Sequence, residues 1–416
     1  AHGLPVASYR ADEIEGMMRA ARSDRQLGAL EVTLSRVFLD YARDIQTGIL
    51  VPSRVDDGLV REVPLRPRKA TLAAFSKSSA KGFLNALPPK SAEYARLMKE
   101  KMRFERIIGR GGWGAEVAAN SLKPGATNNA VLQLRNRLIA MGYLNRTPTN
   151  TYDNSITAAV KAFQSDHGLV DDGVAGPRTM EEINTSAATR LSQIVVAMER
   201  ERWINMPLGK RHIWVNLTDF HARIVDDGKI TFQTRSVVGA NDPERRTPEF
   251  SDVMDHMVIN PTWNVPRSIA TKEYLPLLKE NPFAVSNLNI INVRGQIVSR
   301  AEMDFSGYDE TNFPYDLKEP PSRGNALGLV KFMFPNRYNI YLHDTPAKSL
   351  FGREKRAFSH GCIRLNDPFD FAYMLLAKQE RNPESFFQST LATRKETVVS
   401  LRDPVQVHLV YRTAFT

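Results

Sequence analysis

The only cysteine among the 416 residues lies in Ser359-His360-Gly361-Cys362-Ile363-Arg364. A free thiol titrates at about 8.5, so little of it is nucleophilic thiolate at neutral pH unless a base or cation raises that fraction. His360 is one candidate partner. The better one is His343, at the end of Tyr338-Asn339-Ile340-Tyr341-Leu342-His343, where the alternation of Tyr338, Ile340 and Leu342 predicts a strand. Nineteen residues separate His343 from Cys362, enough for a strand end, a surface loop and a return to the same sheet edge. Thiol with imidazole is nucleophilic catalysis. Gly361 allows close backbone approach and leaves the Gly361 and Cys362 amides free to face an oxyanion, and Arg364 adds positive charge. Two other readings exist: an inert buried cysteine, and a zinc site of His343, His360 and Cys362. No HExxH or CxxC motif accompanies the second.

These residues, with Tyr341-Leu342-His343 upstream of Ser-His-Gly-Cys-Ile-Arg, resemble the signature of the L,D-transpeptidases that remodel bacterial peptidoglycan. The resemblance implies that Cys362 accepts the acyl group, His343 is its base, and the Gly361 and Cys362 amides form part of the oxyanion hole. His360, Tyr341, Arg364 and Ser359 would line the site and hold the substrate. Glycine or serine often follows the catalytic histidine in the family, whereas this chain has Asp344; its side chain or only its carbonyl would orient the imidazole. The implied product is a cross-link between the third residues of two peptide stems, formed without metal or cofactor. Transfer of the acyl group to water, as in an L,D-carboxypeptidase, and attachment of a protein to the wall remain alternatives. So does a non-catalytic peptidoglycan-binding scaffold.

Composition sets the frame. The chain is 42% hydrophobic and 25% charged, which is ordinary globular material sufficient for two or three domains. No apolar run is long enough to span a membrane, and Ala1-His2-Gly3-Leu4-Pro5-Val6 lacks signal-peptide character; a periplasmic protein whose signal peptide has been removed, or lies outside the given sequence, is expected. A lone cysteine excludes an internal disulfide. The formal charge of +10 favours a polyanionic partner. Scattered basic residues and the absence of a recognition motif argue against nucleic acid, whereas the carboxylates of peptidoglycan stems fit.

The expected architecture is an α+β multi-domain protein. Residues 1–126 read as a helical scaffold, with Leu27, Leu30, Leu34, Val37, Phe38 and Tyr41 at three-and-four spacing. Gly109-Arg110-Gly111-Gly112-Trp113-Gly114 satisfies GxGxxG, but no strand precedes it, so a turn anchored by Trp113 is predicted. Residues 127–187 resemble the small three-helix peptidoglycan-binding module, on Lys161-Ala162-Phe163-Gln164, Gly168-Leu169 and Asp172-Gly173 to Thr179. The catalytic domain, mostly β, is assigned to 188–416, with a hairpin at Asp227-Gly228 and a lid inserted at about 264–326. Prolines bracket Trp263 in a loop, which suits an aromatic wall on a cleft. A helix opening at Asn366-Asp367-Pro368 is expected to use Asp367 as its N-cap.

Overall fold

The computed structural model describes residues 2–416 and divides into two compact units, one reaching to Pro207 and including Tyr411–Thr416, the other Leu208–Val410. The protein is an α+β multi-domain chain. In the first unit, helix Asp24–Thr47 opens with a capping box between Ser23 and Gln26. Helices Ala92–Gly109 and Ala187–Trp203 bury Tyr94, Leu97, Phe104, Ile194, Ala197 and Met198 between them. Where the sequence reading began the catalytic domain at 188, this helix therefore lies in the first unit, because its apolar face matches that of Ala92–Gly109. The Gly109–Gly114 stretch is a turn, with Trp113 edge-on to Phe104.

Three further helices of the first unit, Asn129–Met141, Asn154–Asp166 and Pro177–Asn184, enclose their own core of Val131, Leu134, Leu138, Ile156, Phe163 and Ile183. Asn128 and Asp153 cap the first two through their side chains, and Pro177 starts the third.

The second unit is built on nine strands: β1 Arg211–Asn216, β2 His221–Asp226, β3 Lys229–Gly239, β4 Ser251–Ile259, β8 Val330–Met333, β9 Leu342–His343, β10 Ala357–Ser359, β11 Ile363–Leu365 and β12 Thr397–Val410. Their order is β10-β3-β11-β9-β8-β4-β12-β1-β2, and β2 pairs with β3, so the sheet closes on itself. The β2–β3 hairpin turns at Asp227 and Gly228, both at positive φ, the geometry that matches strand twist. One face packs Phe332 edge-on to Phe371 of helix Pro368–Leu376. Asp367 stands at the N-cap position of that helix, but its carboxylate accepts from Thr234 Oγ1 rather than capping the helix.

Between β4 and β8 lies a small subdomain with its own sheet: β5 Trp263–Asn264, β6 Asn289–Ile291 and β7 Asp316–Glu319, in the order β5-β7-β6. Its core gathers Trp263, Leu275, Leu278, Ile290, Phe305 and Phe313. The helical segment Arg267–Glu280 widens into a π turn at Ala270–Tyr274. Pro276, which has no amide to return to the Lys272 carbonyl, explains that widening.

Candidate functional site

Three short strands set the site by register. β11 runs parallel to β9 with Ile363 opposite Leu342 and Arg364 opposite His343, and β9 runs antiparallel to β8 with Lys331 opposite His343. Residues directly opposite share a face and alternate residues return to it. Arg364, His343 and Lys331 thus form a row on one face, with Cys362 and Tyr341 beside them, while Ile363, Leu342 and Phe332 point into the core on the other.

The strand expected at Tyr338–His343 is only Leu342–His343. The Asn336 side chain explains the loss: its amide donates to the Phe334 and Ile340 carbonyls, and its oxygen accepts from the Tyr338 and Ile340 amides. Backbone groups that a strand would offer to a neighbour are used inside the loop. That loop holds Asn339 at φ 54° and places its carbonyl on the thiol, which donates to it at 3.4 Å.

Cys362 and His343 come to the same face, yet no hydrogen bond joins thiol and imidazole among the described residues; the thiol contacts Asn339 and Tyr341 instead. His343 is 4% exposed; the Leu327 backbone bonds its ring, and Nδ1 donates to the Asp344 carbonyl at 2.5 Å. The carbonyl, not the carboxylate, orients the ring. The Asp344 carboxylate accepts from Leu329 N at 2.9 Å and from Lys348 Nζ at 2.8 Å. Gly328, at φ 61°, makes room for it, since a Cβ there would strike the Asp344 side chain.

Burial pushes the Cys362 thiol up to about 11, against the opposing pull of Tyr341 and of the Arg364 and Lys331 charges. Burial also brings His343 down to about 3, and the Arg364 charge adds to that shift. At neutral pH the resting pair is thiol and neutral imidazole, not thiolate and imidazolium.

The motif turn is tied from within. Ser359, 2% exposed, accepts from the Gly361 amide at 3.1 Å and donates to the Cys362 carbonyl at 2.5 Å. This corrects two expectations: Ser359 faces its own backbone rather than a substrate, and the Gly361 amide is occupied rather than free for an oxyanion. The physical reason is local, since a serine two residues before a glycine closes a side-chain turn more readily than it reaches outward. Thr247 Oγ1 donates to the Gly361 carbonyl at 2.6 Å and accepts from Gly239 N at 2.9 Å. Because carbonyl and amide of one trans peptide point in opposite directions, Thr247 turns the Cys362 N–H away from itself. Among the described residues that N–H has no partner.

His360 is exposed and meets Glu273 Oε1 at 2.6 Å; Arg245 meets the same oxygen at 2.8 Å. Glu273 lies in the π turn of the inserted subdomain. Trp263 is 9% exposed in the core of that subdomain, not an open wall, and its indole bonds Tyr341. The zinc reading of His343, His360 and Cys362 finds no support: among the described residues no group of three His, Cys, Asp or Glu side chains is disposed to hold a metal.

Sequence reasoning missed Lys331, Thr247, Glu273 and Asn336. Lys331 left one trace, the alternation Val330-Lys331-Phe332-Met333-Phe334 that turns it away from the core, but only the strand register puts it beside His343. Thr247 left none.

Family models match three stretches: the YkuD L,D-transpeptidase catalytic domain at residues 210–407, a domain described as "Putative peptidoglycan binding domain" at 127–183, and a scaffold domain at 1–100. A "Putative L,D-transpeptidase" of Haemophilus influenzae is 33% identical over 235 residues, which are 56% of this chain and 47% of that protein. The alignment thus spans about half the length of that relative. Among solved structures, an L,D-transpeptidase from Stackebrandtia nassauensis aligns with 70% of this chain and 96% of its own at 15% identity and a TM-score of 0.27. The L,D-transpeptidase of Xylanimonas cellulosilytica aligns with 70% and 98% at 16% identity and a TM-score of 0.19. The family-model matches agree with the motif around Cys362 and with the helical module before it: residues 210–407 match the YkuD L,D-transpeptidase catalytic domain, and residues 127–183 match the domain described as "Putative peptidoglycan binding domain".

Proposed function

We propose that the protein is a periplasmic L,D-transpeptidase that forms cross-links between the third residues of peptidoglycan stems. One observation carries the reading: register places Cys362, Tyr341, His343 and Arg364 on a single face, with the His343 ring fixed by the Asp344 carbonyl. The thiol leaves Asn339 and turns to His343 Nε2, which takes its proton as sulfur attacks the carbonyl of the third residue of a tetrapeptide stem. The Cys362 N–H faces the developing oxyanion. The C–N bond to the terminal D-alanine breaks, and the imidazolium returns its proton to the leaving amine. The amine of a second stem's diamino acid then attacks the thioester, His343 takes that proton, and the thiol is restored. No metal or organic cofactor takes part. The inserted subdomain is proposed as the cap that keeps water from the thioester, and the three-helix module as a peptidoglycan contact.

The test is mass spectrometry of products from purified disaccharide-tetrapeptide, with wild type beside Cys362→Ala. Cross-linked dimers lacking one D-alanine, absent with the variant, support the proposal. Tripeptide monomers alone would make the protein an L,D-carboxypeptidase, and turnover by the variant would refute the nucleophile.

A further inference from the structure

The row Arg364–His343–Lys331 has cations at both ends and a neutral base in the middle. Two cations half-withdrawn from water are costly unless something anionic meets them. Among the described residues Lys331 has no hydrogen bond or ion pair. Arg364 Nε is buried without a partner. Glu396 is the carboxylate whose charge acts on Lys331, but Oε1 and Oε2 of Glu396 accept from Thr262 N and Thr262 Oγ1, at 3.0 and 2.8 Å. Both cations act electrostatically on Cys362, so both lie near the reacting sulfur.

We infer that Lys331 and Arg364 form a carboxylate subsite that reads the free C-terminus of the donor peptide, one residue beyond the bond that is cut. The inference rests on the donor assignment under Proposed function and deepens it. In a stem that ends one residue after the scissile carbonyl, the terminal carboxylate is separated from that carbonyl by the leaving nitrogen and one α-carbon. A group held at Cys362 for attack therefore brings its carboxylate within reach of cations on the same face. Arg364 offers a planar fork and Lys331 a point charge, a pairing suited to one carboxylate. A donor with a blocked or extended C-terminus would bring no charge there and would leave both cations unpaired, the condition that gives strong discrimination.

The test uses two donors: a tetrapeptide stem ending in D-alanine, and the same stem ending in D-alaninamide. Both lose their last residue and give the same thioester, so any difference in the rate of acyl-enzyme formation, read by intact-protein mass spectrometry, reports recognition of the leaving end. A charge-assisted contact predicts that wild type prefers the acid by about 10-fold or more in kcat/KM. Lys331→Met should bring that ratio down by about the same factor, and Lys331→Arg should keep it. Equal rates for the two donors in wild type would overturn the subsite. So would a Lys331→Met protein that slows both donors alike, or a Lys331→Arg protein that loses the preference: Lys331 would then act only on the thiol. Should wild type acylate with neither donor while iodoacetamide still alkylates Cys362, the donor assignment itself falls, and the subsite with it.

Discussion

Two polar motifs in this chain look equally pointed in sequence, and their surroundings separate them. In the three-helix module Gln164 is 1% exposed, and its amide donates to Asp172 Oδ1, the Val174 carbonyl and Thr179 Oγ1 while its oxygen accepts from Gly173 N. The polar landmarks of the module, Gln164, Asp172, Gly173 and Thr179, are consumed by one another. On the Cys362 face the opposite holds among the described residues: a base not bonded to its thiol, a backbone N–H without an acceptor, and two cations with no carboxylate at ion-pair distance. A motif that satisfies itself specifies a fold. One that leaves polar groups open on a single face is shaped for something that arrives later.

The comparison breaks first at His343. His343→Asn keeps a donor for the Asp344 carbonyl but removes the base, and acylation should fall by about 10² to 10⁴. Alkylation of Cys362 in the free enzyme should still titrate near 11 in the variant and in wild type, since burial rather than the imidazole holds the thiol protonated. A wild-type alkylation midpoint near 6 that moves up in the variant would mean a resting ion pair and would refute the neutral one. Stability carries a matching sign. The folded imidazole resists protonation down to about 3 while the unfolded one takes a proton at about 6.5. Wild type should therefore lose stability as pH falls through that window, and His343→Asn should lose less, which denaturant melts across the window would measure.

Gln164→Leu attacks the self-satisfied motif. It orphans Gly173 N in the interior, while the Val174 carbonyl keeps its bond from Gly176 N, and should cost about 1–3 kcal/mol of module stability, seen by thermal or denaturant melting. Acyl-enzyme formation should be unchanged. A loss of acylation at preserved stability would mean that the network is not merely structural, and the contrast between the two motifs would fail.

Thr247→Val tests the open motif through a residue that touches no substrate. The change keeps the volume, leaves the Gly361 carbonyl and Gly239 N without their partner, and frees the peptide that aims the Cys362 N–H. The expected result is a fall in kcat of about 10-fold with KM little moved, because an oxyanion contact is made in the transition state. Thr247→Ser should recover most of it. A variant that changes KM and kcat together would point to general loosening instead.

How far these features could be read in advance follows the same division. The helical face around Leu134 and Phe163, the Asp227-Gly228 hairpin and the Cys362 motif all rest on local spacing, and local spacing is what a sequence displays. Lys331, Thr247 and Asn336 rest on pairings between segments distant in the chain, or on one side chain displacing a strand from its own backbone. Trp263 misled for a related reason. Its flanking prolines signalled a loop, and they do break the main sheet, but the segment then pairs with β7 and buries the indole in a second core.

The smallest effect sharpens the comparison most finely. Glu273 meets both Arg245 and His360, and Lys272 meets Glu244 at 2.7 Å, so polar contacts of the π turn tie the inserted subdomain to the loops beside Cys362, alongside the Trp263–Tyr341 bond. The contacts of the π turn are all a third exposed or more, where such pairs contribute about 0–1 kcal/mol and are screened by salt. Glu273→Ala should leave the melting temperature nearly unchanged and alter the ratio of cross-linked to hydrolysed product by no more than about 2–3-fold, less at high salt. Product analysis at two ionic strengths would measure it. A larger and salt-independent change would mean that Glu273 does more than hold the cap, and would move it from the satisfied side of the comparison to the open one. The apolar core around Trp263, Leu275 and Phe313 keeps the subdomain folded in either case, so the variant separates how the cap is held from whether it exists.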